Sequence, residues 1–125
     1  MSAPRVLVVD DNEMNVELVT FVLDKDGFQV ESASDAREAQ SKIPVFQPEL
    51  ILMDIQMPGM DGLELTRLLK ADPALQHVVV VAFTAYAMHG DEAKMRAAGC
   101  DAYLSKPINV STFAASVRSC LGAGG

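Results

Sequence analysis

Several features that would mark a secreted, membrane-bound or nucleic-acid-binding chain are scarce here. Only two of the 125 residues are cysteine, Cys100 and Cys120. They form no CxxC pair and have no histidine at metal-ligand spacing beside them. That argues against a disulfide framework or a zinc site and fits two reduced thiols packed as small hydrophobes in a cytoplasmic protein. Basic charge is also short: 10 Lys and Arg stand against 17 Asp and Glu, for a net charge of −7. No basic patch compensates, so neither nucleic acid nor an anionic membrane surface is an expected partner. The longest apolar run, residues 78–83, is six long, against the roughly 20 that a membrane helix needs. No charged, apolar and cleavable leader precedes the first strand-like run, so no signal peptide is expected.

What is present is one domain's worth of globular chain, half of it hydrophobic and 22% charged. We take residues 1–125 as a single domain, with 122–125 a flexible glycine-rich tail. Strand-like apolar runs alternate five times with helical patterns. Strands are expected at 5–9, 28–31, 50–53, 78–82 and 102–104, and helices at 14–26, 35–43, 61–70, 90–98 and 110–121. The apolar stripes expected on the helices are Met14, Leu18, Val19, Phe21, Val22 and Leu23 on the first, Leu65, Leu68 and Leu69 on the third, and Val110, Phe113, Ala114, Val117 and Leu121 on the last. Gly27 and Gly99 suit helix ends, Asp35 with Glu38 and Asp61 with Glu64 suit capping boxes, and Pro44 is expected to stop the second helix. Strict alternation predicts an α/β fold. Its five-stranded parallel sheet is covered by helices on both faces, and right-handed crossovers favour the flavodoxin-like order 2-1-3-4-5.

In such a sheet, ligands bind at the carboxyl ends of the strands. Those ends carry Asp10 and Asp11, Asp54, Thr84, and Lys106 before Pro107. Taken singly, each has an ordinary structural reading: helix caps, a turn residue, a loop hydroxyl, a solvated cation. Their conjunction on one rim points to chemistry. Two carboxylates about 5 Å apart repel by roughly 3 kcal/mol at an effective dielectric near 20. One lysine cannot offset three such pairs, whereas a divalent cation can, and an open oxygen site suits Mg²⁺. An open Mg²⁺ site commonly meets phosphate, so phosphoryl chemistry is expected. Asp54 is then the nucleophile. Asp10 and Asp11 are expected to hold the metal, Asp11 directly and Asp10 partly through water, with Asp54 and the backbone carbonyl of Gln56 as further ligands, and Lys106 and Thr84 partner the phosphoryl oxygens.

These residues carry a family resemblance. Val8-Val9-Asp10-Asp11-Asn12, Leu52-Met53-Asp54-Ile55-Gln56-Met57-Pro58-Gly59-Met60-Asp61-Gly62, Ala82-Phe83-Thr84-Ala85 and Tyr103-Leu104-Ser105-Lys106-Pro107 span nearly the whole chain. Together they resemble the response-regulator receiver domain of two-component signalling, most closely single-domain cell-cycle regulators and the receivers of hybrid kinases. The resemblance implies Asp54 as phosphoacceptor, Asp10 and Asp11 as the acid pair, Gln56 as carbonyl ligand and Lys106 as phosphate partner, with a cis peptide before Pro107. It implies a switch in which Thr84 moves to the phosphate and Tyr103 turns inward, with the face of helix 4, strand 5 and helix 5 as readout. It also implies a histidine kinase or histidine phosphotransferase as donor, a downstream protein target, and no enzymatic turnover beyond self-phosphorylation and slow self-dephosphorylation. Tyr86, two residues after Thr84, is expected to slow that hydrolysis.

Two other classes stand beside this one. An aspartate-nucleophile phosphatase carries an acidic residue two positions after its nucleophile, where this chain has Gln56. A degenerate receiver acting only as an interaction module lacks the complete acid, hydroxyl and lysine set. No output domain fits within 125 residues, so docking to other proteins, either alone or as part of a hybrid kinase, is the expected mode of action.

Overall fold

The computed structural model describes residues 3–55, 62–84, 91–105 and 108–124. Five strands, β1 (Arg5–Val9), β2 (Gln29–Ala33), β3 (Leu50–Asp54), β4 (Val79–Thr84) and β5 (Ala102–Ser105), alternate with five helices, α1 (Glu13–Lys25), α2 (Ala36–Phe46), α3 (Gly62–Ala71), α4 (Asp91–Ala98) and α5 (Phe113–Gly124). The strands pair in parallel in the order β2-β1-β3-β4-β5, as the alternation predicts.

The three inner strands are apolar at nearly every position because both sheet faces are covered. Successive side chains alternate between two cores. Val6, Val8, Leu50, Leu52, Val81 and Phe83 meet Val19, Val22 and Leu23 of α1 and Phe113 and Val117 of α5. Leu7, Val9, Ile51, Met53 and Val80 meet Ala39 and Ile43 of α2 and Leu65 and Leu69 of α3. Each fully buried Val, Leu, Ile, Phe or Met contributes roughly 1.5–3 kcal/mol, so the sheet is a stiff platform for whatever its ends carry.

Four local expectations are corrected. First, Met14, Leu18 and Phe21 belong to no buried stripe; they are 80%, 40% and 63% exposed. Val19, Val22 and Leu23 meet the sheet, while the i, i+4, i+7 series from Met14 lies roughly a third of a turn away. Second, Pro44 does not stop α2, which runs on to Phe46. Pro44 still forfeits the hydrogen bond to the Gln40 carbonyl and crowds that oxygen, but only two helical residues follow it to be displaced. The stop is Gln47, in the left-handed region at φ 53°, whose N–H donates to Ile43 O at 2.8 Å. Third, Leu68 is 49% exposed and Thr66 is buried in its place. Fourth, Val110, expected to open the last helix, is exposed in the turn before α5, which spans Phe113–Gly124.

Left-handed geometry costs a non-glycine residue about 1–2 kcal/mol. Gln47→Gly is therefore expected to stabilise the fold by about 0.5–1 kcal/mol after the entropy of the more flexible unfolded chain is subtracted. A rise in the denaturant midpoint at unchanged slope checks this.

At the start of α2, Asp35 accepts the Glu38 N–H at 2.8 Å and Glu38 accepts the Ser34 N–H at 2.6 Å. The Ser34 backbone bond holds the Glu38 carboxyl below its usual range. Its contribution is thus present above the unfolded-state value and lost as pH falls through the lower folded-state value. Glu38→Ala is expected to cost about 0.5 kcal/mol at pH 7. In urea titrations at falling pH, the gap to the parent should close.

Both cysteines are free. Burial pushes each thiol up, Cys100 despite a hydrogen bond to Thr66, so neither is a ready thiolate. No helix among the described residues is long and apolar enough to cross a membrane.

Candidate functional site

The strand register builds the site. Val9 of β1 is level with Met53 of β3, so Asp10 and Asp54 follow side by side at the carboxyl edge. Asp54 is level with Phe83 of β4, which places Thr84 one residue further on the adjacent strand. Among the described residues, Asp10, Asp11 and Asp54 each offer a carboxylate oxygen, and these oxygens all lie within 4.8 Å of one another. Asp10 is 2% exposed, Asp54 4% and Thr84 1%, whereas Asp11 is exposed. Buried acids thus form the floor, and an exposed one stands at the mouth.

The helix-cap reading of the acid pair does not hold. Asn12 caps α1, its Oδ1 accepting the Met14 and Asn15 N–H groups at 3.0 and 3.2 Å. Asp10 Oδ1 accepts the Asn12 N–H at 2.9 Å, which turns the chain sharply from strand to helix. Asn before a helical pattern is a legible N-cap signal that the neighbouring acids obscured.

Carboxylates about 5 Å apart repel by roughly 3 kcal/mol per pair at an effective dielectric near 20. Hard oxygen donors of this number and charge, with one side open, fit a Mg²⁺-like cation that retains waters. Tyr103 is 40% exposed on the edge strand β5. It lines a cavity of about 250 Å³ together with Met95, Arg96, Cys100, Asp101 and Ala102. Gln56, Pro58, Gly59, Asp61, Tyr86, Gly90, Lys106 and Pro107 lie outside the described residues. The structure therefore brings together Asp10, Asp11, Asp54 and Thr84 of the expected set.

Comparison with known proteins bears on what such a cluster does. The family described as "Response regulator receiver domain" matches residues 6–118. The polar-differentiation response regulators DivK of Brucella anthropi and Brucella ovis are each 44% identical over 117 residues, covering 94% of this chain and 95% of theirs. The chemotaxis protein CheY4 of Vibrio cholerae aligns with a TM-score of 0.90 at 26% identity, over 95% of this chain and 99% of that one. A CheY-like response regulator receiver domain protein from Methanospirillum hungatei aligns with a TM-score of 0.86 at 31% identity, over 98% and 97%.

Proposed function

The chain belongs to the response-regulator receiver family of phosphorylation-dependent signalling switches, and from that premise we propose that Asp54 is its phosphoacceptor. A receiver of this kind is a signalling element and not a classical enzyme. The observation that carries the assignment of Asp54 is its place in the cluster, a buried carboxylate within 4.8 Å of two others at the carboxyl edge of the central strand.

Asp10, Asp11 and Asp54, with the carbonyl of Gln56, would hold a Mg²⁺ ion, which when bound would offset two of the cluster's three negative charges and draw charge from phosphoryl oxygens. The remaining work belongs to the chain. An Asp54 carboxylate oxygen attacks phosphorus as the bond from phosphorus to the donor nitrogen breaks. The imidazole leaves with that electron pair and takes a proton from water. Asp10 and Asp11 orient the acceptor side, and Lys106 and Thr84 bind the transferred oxygens. No group on the chain has to become covalently bonded except Asp54, so small phosphodonors can stand in for protein ones, and slow hydrolysis returns the free acid.

Thr84, drawn to the phosphoryl group, gains a charge-assisted hydrogen bond of about 1.5–3 kcal/mol. That is a roughly 10–100-fold population shift, a bias and not a latch. Tyr103, half-exposed on β5, lines a cavity of about 250 Å³ with Met95 and Arg96 of α4, and this supports a readout on the face of α4, β5 and α5. Two unpaired thiols fit action in the cytoplasm.

The donor is a histidine kinase or histidine phosphotransferase. Met14, Leu18 and Phe21 form an exposed apolar stripe along α1, whose first turn begins three residues after Asp10. A protein that brings phosphohistidine to Asp54 has to cover this ground. Met14→Ala with Phe21→Ala is expected to slow transfer from a protein donor about tenfold or more while leaving small-donor labelling unchanged.

The test of the switch itself is incubation with phosphoramidate and Mg²⁺. A hydroxylamine-sensitive phosphoryl group that plateaus at one per chain is expected. Sustained phosphate release without a plateau would instead mark a hydrolase, and inertness would mark a degenerate interaction module.

A further inference from the structure

Gly62, the first residue of α3, packs directly onto the acceptor backbone. A Cβ built there would sit 2.2 Å from the Asp54 carbonyl oxygen, 2.8 Å from Ile55 Cα and 2.9 Å from the Asp54 carbonyl carbon. Real Cβ atoms essentially never approach within 3.0 Å, and every atom in the way is backbone. The start of α3 therefore rests on the peptide that follows Asp54, with no space between them.

That helix start is itself held. Thr66, one turn along and fully buried, donates its hydroxyl to Gly62 O at 2.7 Å. A threonine bonded back to the i−4 carbonyl alters the helix turn that it spans. On its other side, Thr66 Oγ1 accepts from Cys100 Sγ at 4.0 Å, in the link between α4 and β5. That link is fixed in turn: Lys70 Nζ donates to Asp101 Oδ2 at 2.8 Å and to Val78 O at 2.7 Å, and the Val80 N–H donates to the same Asp101 oxygen at 2.9 Å. A continuous set of contacts thus runs from a pinned loop through Thr66 and Gly62 to Asp54.

We propose that Gly62 and Thr66 are positioning residues for the acceptor: the bare glycine lets the first turn of α3 bear on the Asp54 peptide, and the threonine hydroxyl holds that turn in place, so that the carboxylate is aimed along the line of transfer. The inference rests on Asp54 being the acceptor. In-line transfer is steep in geometry, and a displacement of about 1 Å costs on the order of 100-fold in rate. A methyl group at residue 62 forces a shift of that order on the acceptor peptide.

The experiment measures labelling by phosphoramidate in saturating Mg²⁺ and separates the rate constant at saturating donor from the half-saturating donor concentration. Thermal melting is recorded for each chain. Thr66→Val is expected to lower the saturating rate constant about tenfold with little change in half-saturation, and Thr66→Ser to restore it. Gly62→Ala is expected to lower it about 10- to 100-fold; if that chain does not fold, the Thr66 pair decides alone. Thr66→Val at the parent's saturating rate constant overturns the proposal, including when its melting temperature has fallen, since the turn would then be structural only. Asp54→Asn is the control on the premise. If it labels like the parent, Asp54 is not the acceptor; if it stays unlabelled and Thr66→Val matches the parent, only the positioning role fails.

Discussion

Asp54→Asn is expected to abolish uptake of phosphate from any donor and, with no cation present, to stabilise the fold. Both effects have one cause. An amide nitrogen gives its lone pair to its carbonyl and is no nucleophile, so the acceptor is gone. The same change removes one of three carboxylates whose oxygens lie within 4.8 Å of one another. Each pair repels by roughly 3 kcal/mol at about 5 Å and an effective dielectric near 20. Water reaching the exposed Asp11 reduces that, and a net gain of about 1–2 kcal/mol remains. Melting in chelator should rise by several degrees relative to the parent. With Mg²⁺ the order is expected to reverse, because a ligand at 100 times its dissociation constant stabilises the native state by about 2.7 kcal/mol. A metal-free variant no more stable than the parent would mean that the carboxylates are already neutralised from within the chain.

Asp10→Asn separates charge from architecture. The amide keeps Oδ1 as an acceptor for the Asn12 N–H, a bond of 2.9 Å, so the turn into α1 is preserved. Only the charge is lost. Replacing groups that merely support a metal ligand commonly costs 10- to 100-fold in affinity, and a charged member of the cluster is worth at least as much. Mg²⁺ affinity, followed by titration calorimetry, is expected to fall about 100-fold. Labelling by phosphoramidate should recover in large part when Mg²⁺ is raised to match. Unchanged affinity would remove Asp10 from the cation site.

The architecture was legible because the signals were redundant. Apolar runs such as 78–83 suit strands buried on both faces, and the strand ends carried Asp54 and Thr84 to one rim with no further information. Periodicity was least informative where a helix is apolar on two faces. In α1, the Met14, Leu18 and Phe21 series obeys helical spacing as well as Val19, Val22 and Leu23 do, and only docking against the sheet decides which is covered. Pro44 misled because its cost depends on distance from the helix end, which Gln47 sets by adopting a left-handed conformation that its sequence does not announce. Gly62 and Thr66 were invisible for a similar reason. A missing side chain and a buried hydroxyl acquire meaning only when α3 is laid against the end of β3.

The most direct measurement is borohydride trapping of the chain after treatment with phosphoramidate, followed by peptide mapping, in Mg²⁺ and in chelator. Reduction of an aspartyl phosphate leaves homoserine. Homoserine at position 54 alone, formed with Mg²⁺ and absent in chelator, is the expected result. Homoserine at another acidic residue, or equal conversion of Asp54 with and without the cation, would contradict the claim that the acidic cluster takes up a cation in order to accept a phosphoryl group.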